Sequence, residues 1–254
     1  MLATIKAAVR RRLEHRLYHK PLVTLVIDNL YAYLDALEKT SALTSPVVEI
    51  GCARGYTSAI AATFMARRGG HRRYLCVDTF AGFVNSHVEK ENSIHQLAPG
   101  LATSFKDIQL DEVRANFNKW GVASIETFKA DISSFDLAAA ANGRISVALV
   151  DVDLFQACYD GIQKAFDLLD DRGIIIVDDV TEREWGGAEV AYRTFCEENK
   201  IPVQYYCSFG VIEKTKGVTG WPMSPTPGDD CPYRFSARAP IPNNRTQASP
   251  SGSA

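Results

Sequence analysis

The sequence predicts an α/β fold, a mostly parallel seven-stranded sheet with one antiparallel strand and helices on both faces. Three observations predict it. Apolar runs such as Ile145-Ser-Val-Ala-Leu-Val150 and Gly173-Ile-Ile-Ile-Val177 are continuous, as strands covered on both faces require. Stretches of helical length and spacing separate these runs. The last two runs, Val203–Tyr206 and Phe209–Ile212, follow each other around Cys207 with no room for a crossover helix, so they should pair antiparallel.

Along the chain, residues 2–17 and 22–38 read as two helices broken near Pro21. Leu22, Val26, Leu30, Tyr33 and Leu37 recur at spacings of three and four, giving the second helix one apolar stripe. Strands are then expected at Val47–Ile50, Tyr74–Val77, Ile125–Phe128, Ile145–Val150 and Ile174–Val177, with helices near 57–68, 105–120, 157–171 and 187–199. Residues 83–104 are polar and irregular, the length of a functional lid. Beyond Lys214 the chain is rich in Pro, Gly, Ser, Thr and Asn, and from Pro242 it is expected to fray, with Trp221 and Tyr233 tying down the first part. Three parts follow: N-terminal helices over 1–45 serving as lid or dimer contact, a core over 46–214 with the insertion 83–104, and a largely irregular tail over 215–254.

Composition narrows the class. A chain of 254 residues, 46% hydrophobic and 23% charged, suits one α/β domain. A net charge of -2 is a poor counterion balance for a polyanion, so no nucleic-acid partner is expected. No run approaches the ~20 apolar residues of a spanning helix, which argues against stable membrane insertion. The cysteines Cys52, Cys76, Cys158, Cys196, Cys207 and Cys231 form no CxxC pair. Most read as packing residues of a reducing, cytoplasmic protein. A homo-oligomer through the N-terminal helices is expected.

Chemistry enters at Glu49-Ile-Gly51-Cys-Ala-Arg-Gly55-Tyr56-Thr57, where a strand hands over to a helix. Gly51 and Gly55 let the backbone turn tightly against a ligand, and the helix from Tyr56 aims N–H groups at the same crevice. A dinucleotide loop wants glycines at 51, 53 and 56; Ala53 and Tyr56 stand there instead. Glu49 would repel a pyrophosphate but favour the sulfonium and amino group of S-adenosylmethionine. Asp78, 27 residues after Gly51, occupies the strand-end position that accepts ribose hydroxyls. Asp131 is placed either to accept from an adenine amino group or to cap the turn at Ser133.

A second cluster is more specific. Asp151 and Asp153 follow one central strand, and Asp178 and Asp179 follow the next. Parallel neighbours lie ~4.8 Å apart, so Asp151, Asp178 and Asp179 can converge. Carboxylates so placed repel unless a cation or protons compensate. Hard oxygen donors suit Mg²⁺, with Mn²⁺ or Ca²⁺ as substitutes. Asp153, on the other side of a continuing strand, is left to take a proton from an acceptor hydroxyl, or else caps the helix near Gln156. His87 and His95 are further base candidates in the insertion.

These stretches resemble the macrocin O-methyltransferase family of class I S-adenosylmethionine-dependent enzymes, which methylate sugar hydroxyls of natural products. Glu49–Ser58, Val77–Phe83, Leu149–Phe155 and Gly173–Asp179 carry the resemblance, with weaker matches at Trp185-Gly-Gly-Ala-Glu-Val-Ala-Tyr192, Phe195 and Gly210–Ile212. The chain departs from the family at Ala81-Gly-Phe-Val84 and Phe128–Asp131, near the adenosine and the lid. The resemblance implies a Rossmann-like core and Mg²⁺ on Asp151, Asp178 and Asp179, with Asp153 as base. It places S-adenosylmethionine against Glu49, Gly51, Gly55, Tyr56, Thr57, Ser58, Asp78, Thr79, Asp131 and Asp151, and implies a small-molecule hydroxyl acceptor. Rival readings are a catechol-type, cation-dependent methyltransferase on an aromatic diol, an NAD-dependent oxidoreductase, and a non-catalytic nucleoside-binding scaffold.

Overall fold

The computed structural model describes residues 20–94, 97, 100–181 and 186–226. Its elements in chain order are α1 (Ile27–Lys39), β1 (Val47–Ile50), α2 (Tyr56–Arg67), β2 (Tyr74–Asp78), α3 (Asn85–Ile94), α4 (Leu110–Trp120), β3 (Glu126–Lys129), α5 (Leu137–Ala141), β4 (Ile145–Val150), α6 (Phe155–Leu168), β5 (Leu169–Val177), α7 (Gly186–Glu198), β6 (Tyr205–Tyr206) and β7 (Phe209–Glu213). The seven strands form one sheet in the order β3-β2-β1-β4-β5-β7-β6. Only β7 runs against the rest, pairing antiparallel with both β5 and β6. This is the Rossmann-like class I methyltransferase arrangement.

Alternate strand residues feed two cores. Val147, Leu149, Ile174 and Ile176 pack with Tyr33, Ala59 and Phe117 of α1, α2 and α4. Ala148, Val150, Ile175 and Val177 pack with Leu137, Ile162 and Phe195 of α5, α6 and α7. With both faces covered, every residue of β1 and β4 is buried, which is why those runs show no alternation.

Sheet order positions the site. The chain moves outward from β1 through β2 to β3, then returns to place β4 on the other side of β1. The connecting loops part there, and a crevice opens above the carboxyl ends of the strands. Register makes those ends level: Ile50 pairs with both Val77 and Val150, and Val150 with Val177.

Several boundaries depart from expectation. The helix expected over 22–38 starts at Ile27, one residue before Asp28, whose carboxylate suits a first helical turn. The helix expected from 105 starts at Leu110, and the one expected to reach 171 ends at Leu168, where β5 begins. The insertion is not irregular throughout, since it contains α3. That helix buries polar His87 and Glu91, one turn apart, instead of an apolar stripe. α5 also escaped the sequence reading; Asp136 caps it, accepting from the Ala139 N–H at 2.9 Å.

Trp221 is tied down as expected: it stacks on Tyr206 with centroids 4.2 Å apart and donates to Asp35 at 2.6 Å. Cys52, Cys76, Cys158 and Cys196 are free and buried; Cys207 is also buried in the core but is disulfide-bonded, against the expectation of reduced cysteines. The helix expected over 2–17, together with His95, Cys231, Tyr233 and the tail beyond residue 226, lies outside the described residues. No helix among the described residues is long and apolar enough to cross a membrane.

Candidate active site

A cavity of about 890 Å³ lies over the carboxyl ends of β1, β2, β4 and β5. Glu49, Gly51, Tyr56, Thr57, Asp78, Thr79 and Asp131 line one part, and Asp151, Asp153, Asp178 and Asp179 line another. The sequence-derived residues are therefore gathered around one space, with two exceptions. Ser58 is fully buried beneath the loop, where the Cys76 thiol donates to its hydroxyl at 3.3 Å. Gly55 faces α4, and a Cβ there would fall 2.4 Å from the Phe117 ring.

Asp78 organises the glycine loop. One of its oxygens accepts from the N–H groups of Cys52 (2.9 Å) and Ala53 (2.8 Å), and the other from Phe80 at 2.7 Å. Burial raises its pKa, and these backbone donors oppose the rise. Gly51 has φ +86°, and a Cβ on it would stand 1.8 Å from the Asp151 carbonyl oxygen. Only glycine permits this crossing of the β1 and β4 loops.

Glu49 lies beneath that crossing, 1% exposed, and accepts from the Tyr74 hydroxyl at 2.5 Å. The Tyr74 and Tyr33 hydroxyls are 2.8 Å apart. Burial, opposed by hydrogen bonds from Tyr74 and Ser58, pushes the Glu49 carboxyl up to about 7.

The acidic part is built differently. Carboxylate oxygens of Asp151, Asp153 and Asp179 come within 4.8 Å of one another. Asp153 does not point away as an extended strand would make it. Its φ is +62°, and Leu154 N–H donates to Val152 carbonyl at 2.6 Å across it, a tight γ-turn that swings Asp153 toward Asp179. Asp179 also has a positive φ, +60°. Burial and then the neighbouring carboxylates raise Asp151 and Asp153 well above the usual carboxylate range; burial also raises Asp179. Asp178, beside Asp151, accepts from the Asn29 amide at 3.2 Å. Asn29 in turn accepts from Ser208 N–H at 3.2 Å, tying α1 to the β6–β7 turn.

Asp131 accepts from Ser133 N–H at 3.0 Å, the capping role, while still lining the cavity. His87 lies 3.5 Å from Asp131 and 3.2 Å from the Ser133 hydroxyl, so it supports that turn. Asn29 and Glu91 were missed by sequence reasoning. A buried polar residue inside a helix gives no periodic signal, and both act on partners far away in sequence.

A family model described as Macrocin-O-methyltransferase (TylF) matches residues 26–206. The chain belongs to that family. A similar curated protein is the 8-demethyl-8-(2,3-dimethoxy-alpha-L-rhamnosyl)-tetracenomycin-C 4'-O-methyltransferase of Streptomyces olivaceus, 28% identical over 160 residues. That match covers 60% of this chain and only 59% of the relative. Among solved structures, the O-methyltransferase NovP aligns with a TM-score of 0.66 at 16% identity, over 76% of this chain and 82% of its own. The calicheamicin methyltransferase CalS11 aligns with a TM-score of 0.60 at 16% identity, over 82% and 91%. At that identity both speak for the fold alone.

Proposed function

We propose that this chain transfers a methyl group from S-adenosylmethionine to a hydroxyl of a small, sugar-bearing molecule, with a divalent cation on the acidic cluster. One observation carries the reading: the glycine loop with Asp78 and the four aspartates at the ends of β4 and β5 line a single cavity. The curated relative's name, which specifies a rhamnosyl 4'-hydroxyl, supports the acceptor class.

In this reading Asp78 takes the ribose hydroxyls, and Glu49 with the Gly51 loop faces the methionine end. Asp131 stands at the adenine, with Tyr56, Thr57 and Thr79 along the cofactor. Gly55 and Ser58 support the loop from behind, and Asp151 lies where cofactor and acceptor meet. The cation is assigned to Asp151, Asp178 and Asp179; Asp151 and Asp179 share the close cluster with Asp153, whereas Asp178 stands beside Asp151 with one oxygen held by Asn29. Hard carboxylate oxygens from two adjacent strand ends, mutually repelling without a positive charge, are the donor set Mg²⁺ or Mn²⁺ prefers. When bound, such a cation orients the acceptor hydroxyl and lowers its pKa.

Asp153 is the proposed base. Its carboxylate lies within 4.8 Å of Asp151 and Asp179 and faces the same cavity, where it can take the acceptor proton as the methyl group arrives. The sulfonium is already a good leaving group, so the protein's work is to align donor and oxygen and exclude water.

The test is methyl transfer to an L-rhamnoside acceptor panel, with Mg²⁺ and with excess chelator. Chelator-sensitive transfer is expected. Transfer that persists in chelator removes the cation, and S-adenosylmethionine failing to bind in calorimetry removes the whole reading.

A further inference from the structure

We propose that Glu91 is a positioning residue that, from the neighbouring helix α3, holds the Asp153 turn in its active geometry. Asp153 sits at the centre of a γ-turn of the rarer hand, a conformation that persists only where its surroundings impose it. The chain next enters α6, whose N-cap residue Leu154 offers no side-chain cap. The missing acceptor comes from α3 of the insertion: the Glu91 carboxylate accepts from Phe155 N–H at 2.7 Å, 64 residues away in sequence. Glu91 is completely buried.

A negative group at a helix N-terminus is favoured by the helix dipole and by the orphan N–H groups there. Its hold on Phe155 fixes the residue two places beyond Asp153, so the turn is clamped between the end of β4 and the start of α6. The other side of the carboxylate explains a motif with no other role. A Cβ at Gly187 would lie 2.0 Å from one Glu91 oxygen and 2.4 Å from the other. Gly187 in Trp185-Gly-Gly-Ala188 is therefore the hollow into which Glu91 fits. One turn earlier on the same helix, His87 supports the Asp131 turn. α3 thus braces both loop ends of the cavity, and the brace on the acidic side is Glu91.

The importance of the turn rests on the role proposed for Asp153, so the test separates the two. Hydrogen–deuterium exchange of the full-length, ligand-free protein is followed for amides 151–157 and for β2, in wild type, Glu91→Ala, Glu91→Asp and Glu91→Gln. Mn²⁺ binding is read in parallel by electron paramagnetic resonance. Glu91→Ala and Glu91→Asp, the latter too short to reach Phe155, should exchange at least tenfold faster over 151–157 with β2 unchanged. They should also bind Mn²⁺ about tenfold more weakly. Glu91→Gln keeps an accepting oxygen and should stay within threefold of wild type in both.

Should Glu91→Ala not fold, Glu91→Asp against Glu91→Gln carries the same comparison. Wild-type exchange over 151–157 in Glu91→Asp overturns the inference. Faster exchange throughout the sheet does so too, because that marks general destabilisation. Glu91→Gln exchanging as fast as Glu91→Asp is the third overturning result. Wild type that binds no Mn²⁺ would sink the cation reading, while the exchange comparison still decides the role of Glu91.

Discussion

The two halves of the cavity handle negative charge in opposite ways. On the half assigned to the cofactor, Asp78 accepts from three backbone N–H donors, which offset part of the cost of burying its carboxylate. On the acceptor half, Asp151, Asp153 and Asp179 face one another, and burial together with mutual repulsion drives Asp151 and Asp153 toward the protonated form. One half is preorganised by the chain itself. In the proposed reading the other half reaches its working charge state with a bound cation, which separates the half expected to respond to ions from the half expected to respond to backbone changes.

The strongest way to break the comparison is to damage the seam on which both halves depend. Gly51→Ala would drive a methyl group into the Asp151 carbonyl at a position with φ +86°. The expected cost is roughly 3 kcal/mol or more, with loss of both S-adenosylmethionine and Mn²⁺ binding. Thermal melting and calorimetry measure it; a variant that melts like wild type and keeps either ligand would show the halves to be independent.

Glu49 reports on the same seam through pH. Its folded carboxyl is raised from 4.5 to about 7, so the fold retains a proton that the unfolded chain releases over that window. The stability it contributes is full below pH 4.5, lost as pH rises toward 7, and flat above. Each pKa unit is worth about 1.4 kcal/mol, giving on the order of 3 kcal/mol across the window. Glu49→Gln keeps an acceptor for Tyr74 and should remove that slope, so the variant melts above wild type at pH 8 and near it at pH 4.5. Parallel pH profiles for the two proteins would show that Glu49 is already ionised at pH 5.

Cation binding sharpens the contrast directly. Mg²⁺ at a hundredfold above its dissociation constant should stabilise the ligand-free protein by about 2.7 kcal/mol. Asp151→Asn should abolish that gain, and Asp78→Asn should leave it intact while weakening S-adenosylmethionine. Equal Mg²⁺ shifts in wild type and Asp151→Asn would place the ion elsewhere.

Legibility in the sequence followed the same division. Gly51, Asp78, Asp151 and Asp178 were readable because strand-end residues in a parallel sheet must converge, and continuous apolar runs gave the strands. The direction of Asp153 was not, since a left-handed φ at an aspartate has no periodic signature and the extended-strand assumption sends it the other way. α3 was hidden because its buried face is polar, and Ser58 misled because a helix-start hydroxyl can face the ligand or the sheet beneath. What stayed illegible was set by tertiary partners: Phe155 for Glu91, Asp178 and Ser208 for Asn29.

Asn29 gives the smallest and finest test. It is 2% exposed and links Asp178 to the β6–β7 turn by one donated and one accepted hydrogen bond. Asn29→Ala should cost about 1 kcal/mol in the ligand-free protein, the net worth of such bonds. If the acceptor half depends on each carboxylate being aimed, Mn²⁺ affinity should fall several-fold while S-adenosylmethionine affinity holds. Asn29→Asp should weaken Mn²⁺ less than Asn29→Ala, because the added charge near the cluster offsets the lost aim. Were both variants to bind Mn²⁺ as wild type does, repulsion alone would arrange Asp178, and the acceptor half would need no support from α1.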